Sequence, residues 1–332
     1  MNTDSRTQAI ILLTIPFKGD KANLKTLNIN EYNKVSELLK VHNAVPEDLL
    51  ENKFLRFFLD EINKSDIIKN TDRIESLMRR KTSLALAMDK WSKASIYFLN
   101  RQNEDYPKKI KNKLKRMSPP ILFIAGSKNN LMKSNIAVVG SRKIDDNDIL
   151  FTKSLGKKVA ELGYSVVSGC AKGVDEIAMT STLDAEGIAL GVAANNLLQL
   201  TTSQIYRDSI INKNLTLLSP YNPEAGFHVG NAMGRNKIIY CLSEFAVIVN
   251  CTLNKGGTWT GAVENIKKEW VPILVNHNSS DKEGNMELTN RGAQLFPETL
   301  DDKFIKSLTS KEEIKKKDNN TKKNNKKQMK LF

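Results

Sequence analysis

Three short stretches set cations beside small residues in a pattern that suits anion binding. I-A-V-V-G-S-R (136–142) is an apolar run that breaks at Gly140-Ser141 and then presents Arg142. S-G-C-A-K-G-V-D (168–175) breaks in the same way at Ser168-Gly169 and presents Lys172 just before Gly173. The run F-A-V-I-V (245–249) leaves through Asn250 and reaches Gly256-Gly257-Thr258. Glycine lets a backbone approach an anion closely, and a helix N-terminus adds amide donors and a positive dipole end. A fourth stretch, G-R-N-K-I-I-Y-C-L-S (234–243), places Arg235, Asn236 and Lys237 at the exposed start of a helix whose buried stripe is Ile238, Ile239 and Leu242. Together these residues predict a phosphate-binding cleft, which a free nucleotide or a strand backbone could occupy. A dinucleotide turn keeps its side chains small so that the backbone itself meets the pyrophosphate. Arg142 instead offers a planar fork suited to a phosphate diester.

Neighbouring residues have plainer readings. Asp175 is expected to cap the following helix, and Cys170 to be a small buried filler. Trp259, in the glycine loop, either stacks on a base or packs inside.

The elements that must position these residues follow from texture. From about residue 119, short β-branched runs alternate with amphipathic helices: 121–125, 136–139, 164–168, 188–192, 216–219, 245–249 and 271–275 read as strands. F-T-K-S-L-G-K-K-V-A-E-L lies between two of them and is closed by Gly163 as a C-cap. Such alternation implies an α/β fold, an extended Rossmann-like parallel sheet covered by helices on both faces. Ligands of such sheets bind beyond the strands' carboxyl ends. Residues 1–100 read as a small helical domain. Leu50, Phe54, Phe57, Phe58 and Ile62 recur at helical spacing after Pro46, and a second helix carries Ile74, Leu77, Leu84 and Met88. The expected organisation is a helical domain over 1–100, a basic linker over 101–118, the Rossmann-like domain over 119–308, and a basic, apolar-poor tail over 309–332 that should be disordered.

Composition bounds the function. The 332 residues are 40% hydrophobic and carry a formal net charge of +14, a balance that attracts polyanions such as nucleic acid. The charge is uneven: 101–120 holds seven cations against two acids, and 309–332 nine lysines against three acids. Any anion site in the middle must therefore be built from a few placed cations. Cys170, Cys241 and Cys251 form no C-x-x-C pair, and His42, His228 and His277 are scattered, so neither disulfides nor a metal site is expected. The early run A-I-I-L-L-T-I-P-F is too short to span a membrane, and the chain reads as cytoplasmic.

At these motifs the sequence resembles the DNA-processing protein A (DprA/Smf) family, over about 103–308. D-Y-P-K-K-I and S-P-P-I-L-F-I-A-G (105–126) look like the family's lead-in, and I-A-V-V-G-S-R is nearly its signature. S-G-C-A-K-G-V-D is similar to S-G-x-A-x-G-I-D, G-R-N-K-I-I-Y-C-L-S to R-N-R-I-I-x-x-L-S, and L-T-N-R-G-A-Q-L-F (288–296) to the L-I-x-x-G-A-x-L segment. The chain departs from the pattern in several places. Met179 stands where a histidine is usual, S-P-Y-N (219–222) replaces S-E-Y-P, and A-A-N-N-L-L-Q-L-T-T replaces L-G-x-G-L-D-x-x-Y-P. The family's S-G-S-L-x-T-A loop is here G-G-T-W-T-G-A (256–262), and no winged-helix sequence follows 308.

The resemblance implies a noncatalytic protein that binds single-stranded DNA, forms a homodimer and loads a RecA-type recombinase. It implies that Gly140, Ser141, Arg142, Ser168, Gly169, Lys172, Gly173, Arg235 and Lys237 line the phosphate pocket, and that the helical domain is sterile-alpha-motif-like. No cofactor is expected. A second reading draws on the wider SLOG superfamily, whose members bind nucleotides and in some cases cleave N-glycosidic bonds with a P-G-G-x-G-T-x-x-E loop. G-G-T-W-T-G-A-V-E (256–264) is loosely similar, with Glu264 in the general acid/base position. A third reading is a defence or mobile-element protein that senses DNA ends or phage single-stranded DNA.

Overall fold

The computed structural model describes residues 4–21, 24–68, 71–279, 282–308 and 310, so the basic tail expected over 309–332 lies outside the described residues save Ser310. In chain order the elements begin with α1 (Ser5–Thr14), α2 (Ile29–Val41), α3 (Asn52–Ser65), α4 (Asp72–Met78), α5 (Lys81–Lys93), β1 (Ile96–Asn100), α6 (Lys108–Leu114) and β2 (Ile121–Gly126). There follow β3 (Asn135–Val139), α7 (Asp146–Glu161), β4 (Ser165–Ser168), α8 (Val174–Asp184), β5 (Ile188–Val192), α9 (Leu197–Thr201), α10 (Arg207–Ile211) and β6 (Leu215–Ser219). The chain continues through α11 (Val229–Leu242), β7 (Ser243–Ile248), α12 (Gly256–Lys268), β8 (Ile273–Val275), α13 (Lys282–Asn290) and β9 (Gln294–Leu295).

Two compact units result, and they do not divide at residue 119. One comprises Met1–Met132 with Val192–Arg235; the other comprises Lys133–Gly191 with the chain from Asn236 onward. Rather than a linker, 101–118 contains α6, which buries Ile110 and Leu114. The helix expected from Ile74 to Met88 is two helices, α4 and α5, with Arg79 and Arg80 between them.

Within the first unit the strand order is β1-β2-β6, and β2 runs antiparallel to both neighbours. Its core gathers Phe17, Trp91, Phe98 and Phe123, the last three in edge-on contact at 5.1–6.0 Å between centroids. Within α1, the run Ala9–Leu13 is buried on every side, as a helix apolar all round must be. No helix of the described residues is long and apolar enough to cross a membrane. Of the Phe cluster, Phe58 is buried while Phe57 stays exposed. Arg80 is almost fully buried. It donates to Asp20 and to the carbonyls of Leu12 and Ile15, and lies 4.7 Å over the Phe17 ring. Burial lowers its pKa, and Asp20 opposes that shift.

The second unit bears out the expected α/β class. Its sheet runs β5-β4-β3-β7-β8-β9 with every pair parallel. Every residue of β3, β4 and β8 is buried, the mark of strands covered on both faces. The order runs outward from β3 in opposite directions, so right-handed crossovers carry α7 and α8 to one face and α12 and α13 to the other. Gly163, at φ +75, ends α7 as expected, its N–H bonding Ala160 O and that of Tyr164 bonding Val159 O.

Arg80 generates a stability prediction. Arg80→Ala strands the Asp20 carboxylate and two buried carbonyls, so urea unfolding should show a loss of about 3–5 kcal/mol with little change in m-value.

Candidate nucleic-acid interface

The chain leaves β3 toward one face of the parallel sheet and leaves β7, its neighbour, toward the other. The two exits part and leave a crevice, the place where such sheets bind ligands. A buried amide side chain joins the two exits. Asn250, 1% exposed, accepts the Ser141 N–H at 2.7 Å through Oδ1 and donates through Nδ2 to the buried carboxylate of Asp148 in α7. One backbone bond, Val249 N–H to Val139 O at 3.0 Å, runs beside it.

Gly140 is glycine because a Cβ there would lie 2.5 Å from Val174 Cγ2 and 3.0 Å from Asn250 Oδ1. Ser141 Oγ accepts the Lys143 N–H at 3.1 Å and closes the turn, which leaves Arg142 and Lys143 exposed. Gly173, at φ +88, folds the β4 exit onto the same turn. A Cβ on it would lie 2.6 Å from Ser141 O and 2.8 Å from Arg142 Cα, and the Val174 N–H reaches Ser141 O at 3.3 Å. Lys172, exposed, thus stands next to the residue that touches Arg142.

The third wall is the start of α12. Thr258 Oγ1 donates to Gly140 O at 2.9 Å, which ties this helix to the turn. Gly256 (φ +80) and Gly257 are exposed, and the N-cap residue Lys255 makes no side-chain cap, so the first-turn amides and the positive helix end face outward. From α11, Asn236 Nδ2 donates to Gly257 O at 3.0 Å and steadies that turn.

The remaining candidates are buried or ion-paired. Ser168 is fully buried and donates to Val138 O at 2.6 Å, and Gly169 beside it is also buried. Lys237 is ion-paired with Glu264 at 3.0 Å. Arg235 belongs to the first unit and is 6% exposed, where it opposes the effect of burial that pushes the Tyr221 hydroxyl up to about 12. The expected exposed helix start at 235–237 is therefore mid-helix, because α11 begins at Val229. Asp175 is no cap: the N-cap of α8 is Gly173, and Asp175 sits buried in the first turn. Cys170 is half-exposed in the left-handed region at φ +55 rather than buried. Trp259 is 7% exposed with the Arg291 guanidinium 5.2 Å over its ring, so it packs. Among the described residues no group of three His, Cys, Asp or Glu side chains is placed to hold a metal. Asn250, Asp148, Lys143 and Lys255 went unread as site residues. The available signal was an amide directly after an apolar strand.

Residues 97–308 match the family described as DNA recombination-mediator protein A. The chain belongs to that family. DNA processing protein DprA of Bacillus subtilis is 26% identical over 228 residues, 68% of this chain and 74% of that protein. Protein Smf of Synechocystis is 25% identical over 206 residues, 60% of this chain and 51% of that protein, so the chain spans about half the length of this relative. In fold, the chain resembles DNA processing protein A from Streptococcus pneumoniae, with a TM-score of 0.68, 19% identity and coverage of 89% of this chain and 95% of that one. It also resembles DNA processing protein A from Helicobacter pylori, with a TM-score of 0.53, 24% identity and coverage of 66% and 98%. A single-stranded DNA binding mode is described for the latter protein.

Two glycines at positive φ separate strain from crowding in this family member. Gly163→Ala, with no atom within 4 Å of the new Cβ, should cost about 1 kcal/mol, and Gly173→Ala, driven into the 141–142 backbone, about 2 kcal/mol more. Equal losses in denaturant unfolding would contradict the packing described for the turn.

Proposed function

We propose that the chain binds single-stranded DNA through its phosphates at the crevice between the β3 and β7 exits, as a binder and not a catalyst. The observation that carries this reading is the convergence of exposed Arg142, Lys143 and Lys172 on one turn, held by Asn250 and Gly173, beside the outward-facing amides of α12. Charge-assisted contacts from a few fixed cations and helix amides are the means by which proteins hold a strand backbone without reading its sequence. Family membership and the described binding mode of the Helicobacter pylori protein support the choice of a strand over a free nucleotide. Of the residues read from the sequence as phosphate-binding, Gly140, Ser141, Arg142, Lys172, Gly173, Gly256, Gly257 and Thr258 form or touch this crevice in the proposal. Asn236 acts through Gly257, while Ser168 and Gly169 act from below, as supports. Loading of a RecA-type recombinase and assembly as a homodimer, both implied by the family resemblance, complete the proposal.

The N-glycosidase reading draws less support. Glu264 lies eight residues into α12, about 12 Å along the axis from Gly256, and its carboxylate is engaged by Lys237.

The test is fluorescence anisotropy of a labelled oligonucleotide across a salt series. If four to six phosphates are neutralised, the log–log slope should be about −3 to −4 for a single strand. Arg142→Ala and Lys172→Ala should each weaken binding and flatten that slope by about 0.7. A flat salt response, or unchanged binding in both variants, contradicts the proposal.

A further inference from the structure

At the same carboxyl edge, β8 ends at Val275 and the chain passes beside the first turns of α7. A pocket of about 550 Å³ opens there, lined chiefly by Asp145, Asn147, Leu150, Phe151, Asn276 and Asn278. Its size falls within the roughly 300–1,000 Å³ of small-ligand sites. One wall is apolar. Leu150 is 66% exposed, and Phe151 is held edge-on against Phe296 with centroids 5.1 Å apart.

The rest of the lining is carboxylate, amide and the Ser279 hydroxyl, without a lysine or arginine. Asp145 Oδ1 caps α7 by accepting the Asp148 N–H at 2.8 Å, which leaves acceptor capacity on an exposed carboxylate. Asn276 is buried and fixed, its Oδ1 accepting the Asn278 N–H at 3.1 Å. Asn285 Nδ2 donates to both Asn276 O and Val249 O, at 2.9 and 3.0 Å, so the pocket floor and the β7 exit share one framework.

This lining repels a phosphate and suits a flat ring that carries N–H donors. Carboxylates accept from the exocyclic amine of cytosine, and amides pair with adenine. Asp145 follows Arg142 by three residues, so their Cα atoms lie at most about 11 Å apart, a span of about two nucleotides. We propose that the pocket takes one base of the bound strand, cytosine or adenine, with Leu150 and Phe151 against the ring and Asp145 and the asparagines on its amine. The inference rests on strand binding at the neighbouring crevice.

The test compares oligo-dC, oligo-dA and oligo-dT at one salt concentration by anisotropy on the full chain. The two amine-bearing strands should bind about tenfold tighter than oligo-dT. Asp145→Asn, which keeps the helix cap, and the pair Leu150→Ala with Asn278→Ala should each cut that preference to about twofold, with oligo-dT affinity and the salt slope unchanged. Salt-dependent binding with no base preference, or a preference that survives in these variants, overturns the pocket alone. Absence of any strand binding overturns both the pocket and the crevice.

Discussion

One buried amide organises the carboxyl edge of the parallel sheet. Asn250 accepts from the Ser141 backbone and donates to Asp148, so it joins the exits of β3 and β7 to the first turns of α7. A carboxylate as buried as Asp148 is tolerable only with a hydrogen-bonded partner, and Asn250 is placed to be that partner. The bond to Ser141 then fixes where the β3 exit turns, and so the backbone position of the exposed Arg142. The small residues follow from the same constraint. Gly140 has no room for a Cβ beside Asn250 and Val174, and Gly173 has none beside Ser141 and Arg142. These glycines serve the packing of three loops against one another.

That arrangement explains how a middle segment of nearly balanced charge can present a cationic site. Most of the +14 lies in 101–120 and 309–332. Exposed Arg142, Lys143 and Lys172 and the start of α12 are brought together by geometry rather than by number. Other cations are engaged in pairs of their own. Lys237 is committed to Glu264, Arg291 to Trp259 and Glu287, and Arg80 to Asp20. The Lys237–Glu264 pair also removes from the crevice both the outermost cation of the R-N-K motif and the acid on which glycosidase chemistry would depend.

Much of the fold was legible because buried parallel strands are written as β-branched runs. The expected strands appear within a residue or two of their predicted bounds. β1 was passed over because the apolar run Ile96–Leu99 reads as the end of the helical stretch, and it pairs antiparallel at an edge, where no crossover helix announces it. β9 has only two residues. The division into units could not be read, because the first unit takes back Val192–Arg235 after the second has begun, and no composition shift marks such a return. Within the site, the glycine turns and the cations beside them were visible as motifs. Asn250 was not, since an asparagine after a strand reads equally well as a loop residue. The placing of Arg235 failed for a local reason: Gly234 looked like a helix start, but the helix begins at Val229.

Hydrogen–deuterium exchange of the full chain, with and without a single-stranded oligonucleotide at low salt, addresses the central claim most directly. Backbone amides in three separate segments, 140–144, 170–174 and 255–259, should gain protection together, and that shared protection should fade as salt is raised. Protection confined to other surfaces, with these three segments unchanged, would contradict the account.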